Sequence, residues 1–187
     1  TLVAGSFAKT PLLENYEIEQ AAEFKVESGA ERFRKLLLFN GESGSSCGKL
    51  FARSLIPYLA FPEGQLFEDM GVIASICSRV GEIAFSDAPF YAYVTRPGSI
   101  TTFKKQGPKH AQDMDKTIET VRLIAGGGFK DEFECFRAYC TLRVAMRVDL
   151  DAFGDRAEGR SYLKRARELV GRASRSPLAS RKIGRAS

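Results

Sequence analysis

Apolar residues recur at spacings of three and four just after the first third of the chain. They are Met70, Ile73, Ala74, Cys77 and Val80. This period predicts a helix from about Leu66 to Val80 with one buried face. The preceding Phe61-Pro62-Glu63-Gly64 predicts a turn, because proline and glycine both favour turn geometry.

Two acidic residues, Glu68 and Asp69, fall in the first turn of this predicted helix. Unpaired backbone N–H groups and the positive end of the helix dipole favour carboxylates there. The pattern alone favours an ordinary acidic helix start. The second interpretation is that the turn and the helix end together aim one carboxylate into a cleft.

The chain before this helix predicts two strands and two helices. Thr1–Ala8 reads as a buried strand, and Glu17–Val26 as a strand or hairpin arm. Ser28 is placed to cap a helix that buries Phe33, Leu36 and Leu37. The segment Cys47–Leu59 is predicted to be helical in its middle, with four residues facing inward: Leu50, Phe51, Leu55 and Ile56.

The chain after this helix predicts strands and then helices. Gly81–Phe85 and Phe90–Val94 read as two strands, separated by a turn at Asp87-Ala88-Pro89. A helix from Pro108 is stopped by Gly126, and it buries Ala111, Met114, Ile118, Val121 and Ala125. Further helices are predicted over 130–150, with Phe133, Phe136, Cys140, Val144 and Val148 inward, and over 160–170. The predicted fold class is therefore mixed α/β.

Charge is unevenly distributed along the 187 residues. The net charge is +5, and residues 171–187 contain five basic residues and no acidic one. The rest of the chain is neutral, with 23 basic and 23 acidic groups, and this argues against a nucleic-acid partner. The tail suits either peripheral contact with anionic lipid or disorder, and its composition favours disorder.

Other chemistry is sparse. Four cysteines without a C-x-x-C pair and a single histidine, His110, argue against a zinc site. Cys77 and Cys140 lie on apolar stripes as buried thiols, which suits a cytoplasmic location. This sequence contains no run of about 20 apolar residues and no charged-then-apolar leader pattern, so neither a membrane span nor secretion is expected from it. The chain begins at Thr1 without methionine, which suggests a fragment or a trimmed chain.

Five short motifs occur in a characteristic order. They are Cys47-Gly48-Lys49-Leu50-Phe51, Phe61-Pro62-Glu63-Gly64, Glu68-Asp69, Pro89-Phe90-Tyr91-Ala92-Tyr93 and Arg96-Pro97-Gly98-Ser99-Ile100-Thr101. Over roughly residues 1–105 this order resembles the second half of bacterial family-2 glycosyltransferases, which have a GT-A fold. Two positions depart from the family pattern, which usually has tryptophan at Cys47 and often arginine at Val94. The first departure removes an aromatic platform that could stack on a sugar ring, and the second removes a charged contact.

The resemblance implies an inverting enzyme that moves a sugar from a sugar nucleotide to a hydroxyl of a glycan or lipid-linked acceptor, in cell-surface polysaccharide synthesis at the inner face of the membrane. It implies that Asp69 is the general base and Glu68 its orienting partner. The substrate-binding residues would be Lys49, Arg96, Ser99, Tyr91 and Tyr93. For Lys49 we expect a partly buried side chain paired with a carboxylate or a phosphate oxygen.

The resemblance also implies a nucleotide-binding half and a D-x-D pair that binds Mg²⁺ or Mn²⁺, both expected outside this chain. Asp113-Met114-Asp115 and Asp149-Leu150-Asp151 match the letters, but the first lies within a predicted helix and the second at a helix end, and both are expected on solvated faces. The isolated chain is therefore expected not to catalyse transfer.

The predicted organisation has three parts. Residues 1–106 form the acceptor-side half of a GT-A domain, residues 107–170 a helical region, and residues 171–187 the basic tail. The alternative function is a non-catalytic module for acceptor recognition or oligomerisation, in which the helices after Gly107, through the face from Phe133 to Val148, form a homo-oligomer or dock on a membrane-bound partner.

Overall fold

The computed structural model describes residues 2–10, 23–94, 105–175 and 178. Within them, the strands are β1 (Leu2–Thr10), β2 (Lys25–Ser28), β3 (Lys49–Phe51) and β4 (Glu82–Val94). The α-helices are α1 (Gly29–Leu37), α2 (Glu68–Arg79), α3 (Pro108–Ala125), α4 (Lys130–Ala145) and α5 (Arg156–Ala173). Short 3-10 helices span Arg53–Tyr58 and Leu150–Ala152.

The strands form one mixed sheet in the order β2-β4-β1-β3. The central strands β1 and β4 are parallel, whereas β2 and β3 pair antiparallel on the two edges. A mixed α/β class is therefore confirmed. That this sheet is half of a GT-A domain stays a prediction.

The predicted helical stripes are buried. Ser28 caps α1, since its Oγ accepts the backbone N–H of Glu31 at 3.1 Å. The inward positions of α1, α2, α3 and α4 join one core, and its fully enclosed side chains include Phe33, Ile73, Met114 and Phe136. This core contains residues from both sides of position 107, so the sheet side and the helical side share it.

The prediction for Cys47–Leu59 was right only in part, since the middle of the segment is a 3-10 helix and Phe51 and Leu55 contact the core, but Leu50 and Ile56 do not. The segment forms strand β3 and then a 3-10 helix. Leu50 and Ile56 are exposed and only Leu55 is buried. Because neighbouring strand residues face opposite sides, Leu50 points outward between Lys49 and Phe51.

The turn predicted at Asp87-Ala88-Pro89 was also wrong. β4 runs through it as one strand, and the pairing with β1 shifts from Gly5↔Ser86 to Ser6↔Pro89. The two intervening residues are accommodated as a bulge, so one long strand replaces the predicted pair of strands.

Two predicted helices have different limits in the structure. α4 ends at Ala145, five residues before the predicted end, and α5 begins at Arg156, where Asp155 accepts the N–H of Ala157 at 2.7 Å as an N-cap. No helix within the described residues is long and apolar enough to cross a membrane.

Candidate functional site

The start of α2 is fixed by a turn that α3 holds in place. Gly64 has φ +67°, a left-handed conformation that glycine adopts without strain. Lys109 donates to the Gly64 carbonyl at 2.6 Å, and Asp113 accepts the Leu66 N–H at 3.0 Å. Thr117 donates to the Phe67 carbonyl at 3.3 Å. The direction in which α2 begins is therefore set by side chains about 50 residues later in the sequence.

Phe67 is the residue that turns the chain into α2. Its φ is +61°, a left-handed conformation that is rare for a bulky side chain, and it gives α2 no side-chain cap. Such strain persists only where surrounding contacts enforce it. The hydrogen bond from Thr117 and the packing of Phe67 against the core supply that enforcement.

Asp113 was predicted on a solvated face, and this was wrong. It is 2% exposed, and its carboxylate also pairs with Lys109 at 2.7 Å and Lys116 at 3.0 Å. Burial opposes ionisation, but the hydrogen bonds from Lys109, Leu66 and Lys116 prevail and lower the pKa of Asp113 to about 2. A helix pattern alone did not reveal that the turn before α2 packs on this side of α3.

Asp69 lies half-buried in the first turn of α2. Its carboxylate is hydrogen-bonded by the backbone N–H groups of Ser46 and Met70 and by the Ser45 side chain. The pKa of Asp69 is nevertheless raised, first because burial removes water and second because Glu68 is charged nearby. The helix end by itself favours the ionised form of Asp69, but burial and Glu68 outweigh it.

Lys49 lies beneath the loop that carries Ser45 and Ser46. Its side chain is 2% exposed, and its Nζ donates to the carbonyl oxygens of Ser43 at 2.9 Å and Ser45 at 2.8 Å. It also forms a salt bridge with Glu42, 3.1 Å from Nζ to Oε1. The pairing with a carboxylate agrees with the expectation for Lys49. All three contacts fix the position of the loop.

Glu42 joins Lys49 to a second buried cation, Arg32. The Arg32 Nε donates to Glu42 Oε2 at 2.7 Å, and both residues are 5% exposed or less. Gly41, with φ +79°, reverses the chain so that Glu42 returns to α1. The Arg32 guanidinium also lies over the Phe85 ring, 4.2 Å from its centroid. We call Arg32, Glu42 and Lys49 the buried ion cluster; each charge in it has a partner, as burial requires.

Tyr91 also contacts this loop, through Cys47. It lies in β4 with 40% of its surface exposed, and its hydroxyl is hydrogen-bonded to Cys47, which raises the pKa of Tyr91. Tyr93 lies two residues further on the same strand face and is half-buried. Cys47 thus takes part in a hydrogen bond at the position where the resembled family usually has tryptophan.

The loop connects three of the predicted site residues. Ser45 is the central link, because its carbonyl accepts from Lys49, its hydroxyl bonds Asp69, and its Oγ accepts the Cys47 N–H at 3.2 Å. Cys47 in turn contacts Tyr91. Glu68 adjoins Asp69, whereas the predicted residues Arg96 and Ser99 lie outside the described residues.

Sequence reasoning missed Arg32, Glu42 and Ser45. Ser45 and Glu42 lie in a polar loop without periodicity, so their contacts leave no pattern. Arg32 was detectable in principle, since it occupies a buried position on the apolar face of α1 between Gly29 and Phe33. A charged residue on such a face indicates a buried partner.

Metal ions in proteins require characteristic ligand sets. Among the residues that the structure describes, no group of three or more His, Cys, Asp or Glu is arranged to hold a metal ion. The two D-x-D matches are engaged in salt bridges, Asp115 with Arg165 at 2.7 Å and Asp149 with Lys105 at 3.0 Å.

In comparisons with family models and with curated proteins, the chain matches none.

Proposed function

We propose that this chain is the acceptor-side part of an inverting glycosyltransferase, which transfers a sugar from a sugar nucleotide to an acceptor hydroxyl in surface-glycan synthesis. One observation carries the proposal. Asp69, at the expected general-base position, is half-buried with a raised pKa, and it is linked through Ser45 and Cys47 to Tyr91. An ordinary acidic helix start would be solvated and would have no such connection.

The chemistry requires a proton acceptor because an alcohol is too weakly acidic to ionise before it attacks. Asp69 takes the acceptor's proton as the hydroxyl oxygen bonds to the anomeric carbon and the nucleotide diphosphate departs. A raised pKa makes this carboxylate a stronger base, and three hydrogen bonds fix its orientation. Tyr91, exposed beside the loop, lines the acceptor side. The Mg²⁺ or Mn²⁺ implied by the resemblance would neutralise the leaving diphosphate in another part of the enzyme.

Lys49 has a different role in this proposal from the one that the resemblance implies. Since its side chain is enclosed by the loop carbonyls and Glu42, it acts as a positioning residue rather than a substrate contact. It holds Ser45, and Ser45 holds Asp69. Arg96 and Ser99 remain predicted substrate-binding residues.

The test uses the full-length polypeptide in which this chain occurs, with sugar nucleotides as donors. Asp69→Asn keeps the shape of the side chain but removes the base, and we expect kcat to fall by about 10²–10⁴-fold. Asp115→Asn, on an exposed part of α3, is the matched control and keeps wild-type kcat.

The alternative function, an acceptor-recognition or oligomerisation module, predicts that Asp69→Asn retains full activity. The oligomer surface first predicted for it, the face from Phe133 to Val148, is enclosed in the core at Phe133, Phe136, Cys140 and Val144. Wild-type transfer by Asp69→Asn would overturn the proposed role.

A further inference from the structure

The outer surface of α4 carries two large exposed residues, one of which, Tyr139, also packs on one side against the Phe39 ring, 4.0 Å between centroids. Tyr139 is 49% exposed and Met146, which caps the end of α4, is 70% exposed. Tyr139, Leu142 and Met146 stand at positions i, i+3 and i+7, so they form one stripe along the helix. This stripe faces away from the core positions Phe136, Cys140 and Val144.

α5 extends this surface. A groove between α4 and α5 brings Cys135, in the first half of α4, against Val170 and Ala173, near the end of α5. Its remaining lining includes Leu37, Leu38 and Phe39 at the end of α1, and Leu178 after α5. The two helices are therefore antiparallel, and the start of α5 lies beside the end of α4. On the side of α5 that adjoins this groove, Arg160, Leu163, Arg167 and Val170 form a second stripe, at i, i+3, i+7 and i+10.

Positive charge flanks the apolar residues. Arg143 follows Tyr139 by four positions on α4, and Arg160 and Arg167 lie on α5; all three are exposed. Within the described residues none of these three arginines forms a salt bridge; the salt bridges of α4 and α5 involve other residues. The carboxylates on this side of α4, Asp131 and Glu132, lie in its first turn, roughly 10–12 Å along the axis from Tyr139. Glu132 is already paired with Arg34 at 3.1 Å.

We propose that this surface, which we call the α4–α5 face, docks on a membrane rich in anionic lipid. Its apolar residues would enter the interface between headgroups and acyl chains, while Arg143, Arg160 and Arg167 pair with lipid phosphates. An apolar centre flanked by unpaired arginines matches an anionic membrane surface, which offers both acyl chains and lipid phosphates. A twofold pair of copies would enclose both copies' unpaired arginines in one interface, which is costly because buried charges need partners.

The experiment measures co-sedimentation of the chain with vesicles of phosphatidylcholine alone and of phosphatidylcholine mixed with phosphatidylglycerol. Wild type should bind the anionic vesicles and not the neutral ones, and salt should weaken the binding. Arg160→Gln/Arg167→Gln should bind about 25-fold more weakly, because each arginine near the surface contributes roughly fivefold. Both substitutions are on exposed positions, so the fold is retained.

The matched control is Arg53→Gln/Arg79→Gln, which removes the same charge from exposed positions on the 3-10 helix and α2, away from α5. It should bind as wild type. Met146→Ser should weaken binding without changing charge. A chain that ends at Arg175 removes the remaining basic tail, and the loss caused by Arg160→Gln/Arg167→Gln should persist in it.

Three results would overturn the proposal. One is equal loss in the control and in Arg160→Gln/Arg167→Gln. Another is binding that depends only on residues after Arg175. The third is a dimer in sedimentation velocity that Met146→Ser dissociates, with no binding to anionic vesicles. Glycosyl transfer is not measured here, so the lipid result is independent of the proposed activity.

Discussion

Replacing Asp113 by asparagine removes the charge that anchors the turn before α2. The carboxylate of Asp113 accepts from the backbone of Leu66 and pairs with Lys109 and Lys116. Asparagine has nearly the same shape, but it cannot pair with two ammonium groups. The substitution therefore isolates the electrostatic part of the anchor.

The pKa gives the magnitude. A carboxyl pKa of about 2 rather than 3.8 corresponds to about 2.4 kcal/mol of stability at neutral pH, at about 1.36 kcal/mol per pKa unit. The side chains of Lys109 and Lys116 are 60% and 63% exposed, so solvent screens part of this. We expect Asp113→Asn to lower the free energy of unfolding by about 1–2 kcal/mol.

The pH dependence has a definite sign. Folding lowers the pKa of Asp113. Its contribution to the free energy of unfolding is therefore complete above pH 3.8 and is lost as the pH falls through about 2. Urea unfolding at about pH 7 and about pH 3 measures this, and the gap between variant and wild type should shrink in acid. Amide hydrogen exchange at Leu66 should become faster in the variant.

Asp115→Asn is the control, since Asp115 lies two residues away on α3 in an exposed pair with Arg165. We expect it to cost less than about 1 kcal/mol. Asp113 does not anchor the turn if Asp113→Asn lowers the free energy of unfolding no more than this control does. The same holds if the loss of stability in Asp113→Asn is as large at about pH 3 as at about pH 7.

Three further substitutions test other parts of the structure by urea unfolding. Asp69→Asn should raise the free energy of unfolding at neutral pH, because burial raises the pKa of Asp69 and ionising this buried carboxyl costs stability. The gain should vanish below pH 3.8, and a loss of stability at neutral pH would contradict this reasoning. Glu42→Gln leaves the buried Lys49 without a carboxylate and Arg32 with only Glu27, 3.5 Å away, and should lower the free energy of unfolding by about 3–5 kcal/mol. The exposed Glu31→Gln should lower it by less than about 1 kcal/mol, and equal losses would refute the buried ion cluster. Gly29→Ala should destabilise the chain strongly, because its Cβ would lie 2.0 and 2.5 Å from two backbone oxygens at the end of α2; Gly81→Ala, where the space is open, is the control, and equal stability of the two would show that this close approach is absent.

Local patterns predicted the helices well because their information lies within a few residues. The stripe of α2 and the cap at Ser28 were both predicted from spacing alone, and both are present. Local patterns gave wrong predictions where contacts with residues distant in the sequence determine the structure. Asp87-Ala88-Pro89 has the composition of a turn, but pairing with β1 carries the chain straight through it as a bulge.

The candidate site was predicted only in part for the same reason. The position of Asp69 at the start of α2 followed from the helix pattern. Its raised pKa did not, because the burial that causes it depends on a loop more than 20 residues earlier. The pairing of Arg32 with Glu42 likewise depends on the reversal of the chain at Gly41, which composition marks only as a loop.

The pH profile of kcat/KM for the acceptor, measured with the full-length polypeptide, tests the proposed general base most directly, because it reports the pKa of the free enzyme. If Asp69 accepts the acceptor's proton, kcat/KM rises through an acidic limb whose apparent pKa lies above 3.8, the ordinary value for aspartate, and Asp69→Asn abolishes this limb together with most of the activity. A profile in which Asp69→Asn keeps both the limb and the rate would contradict the central claim.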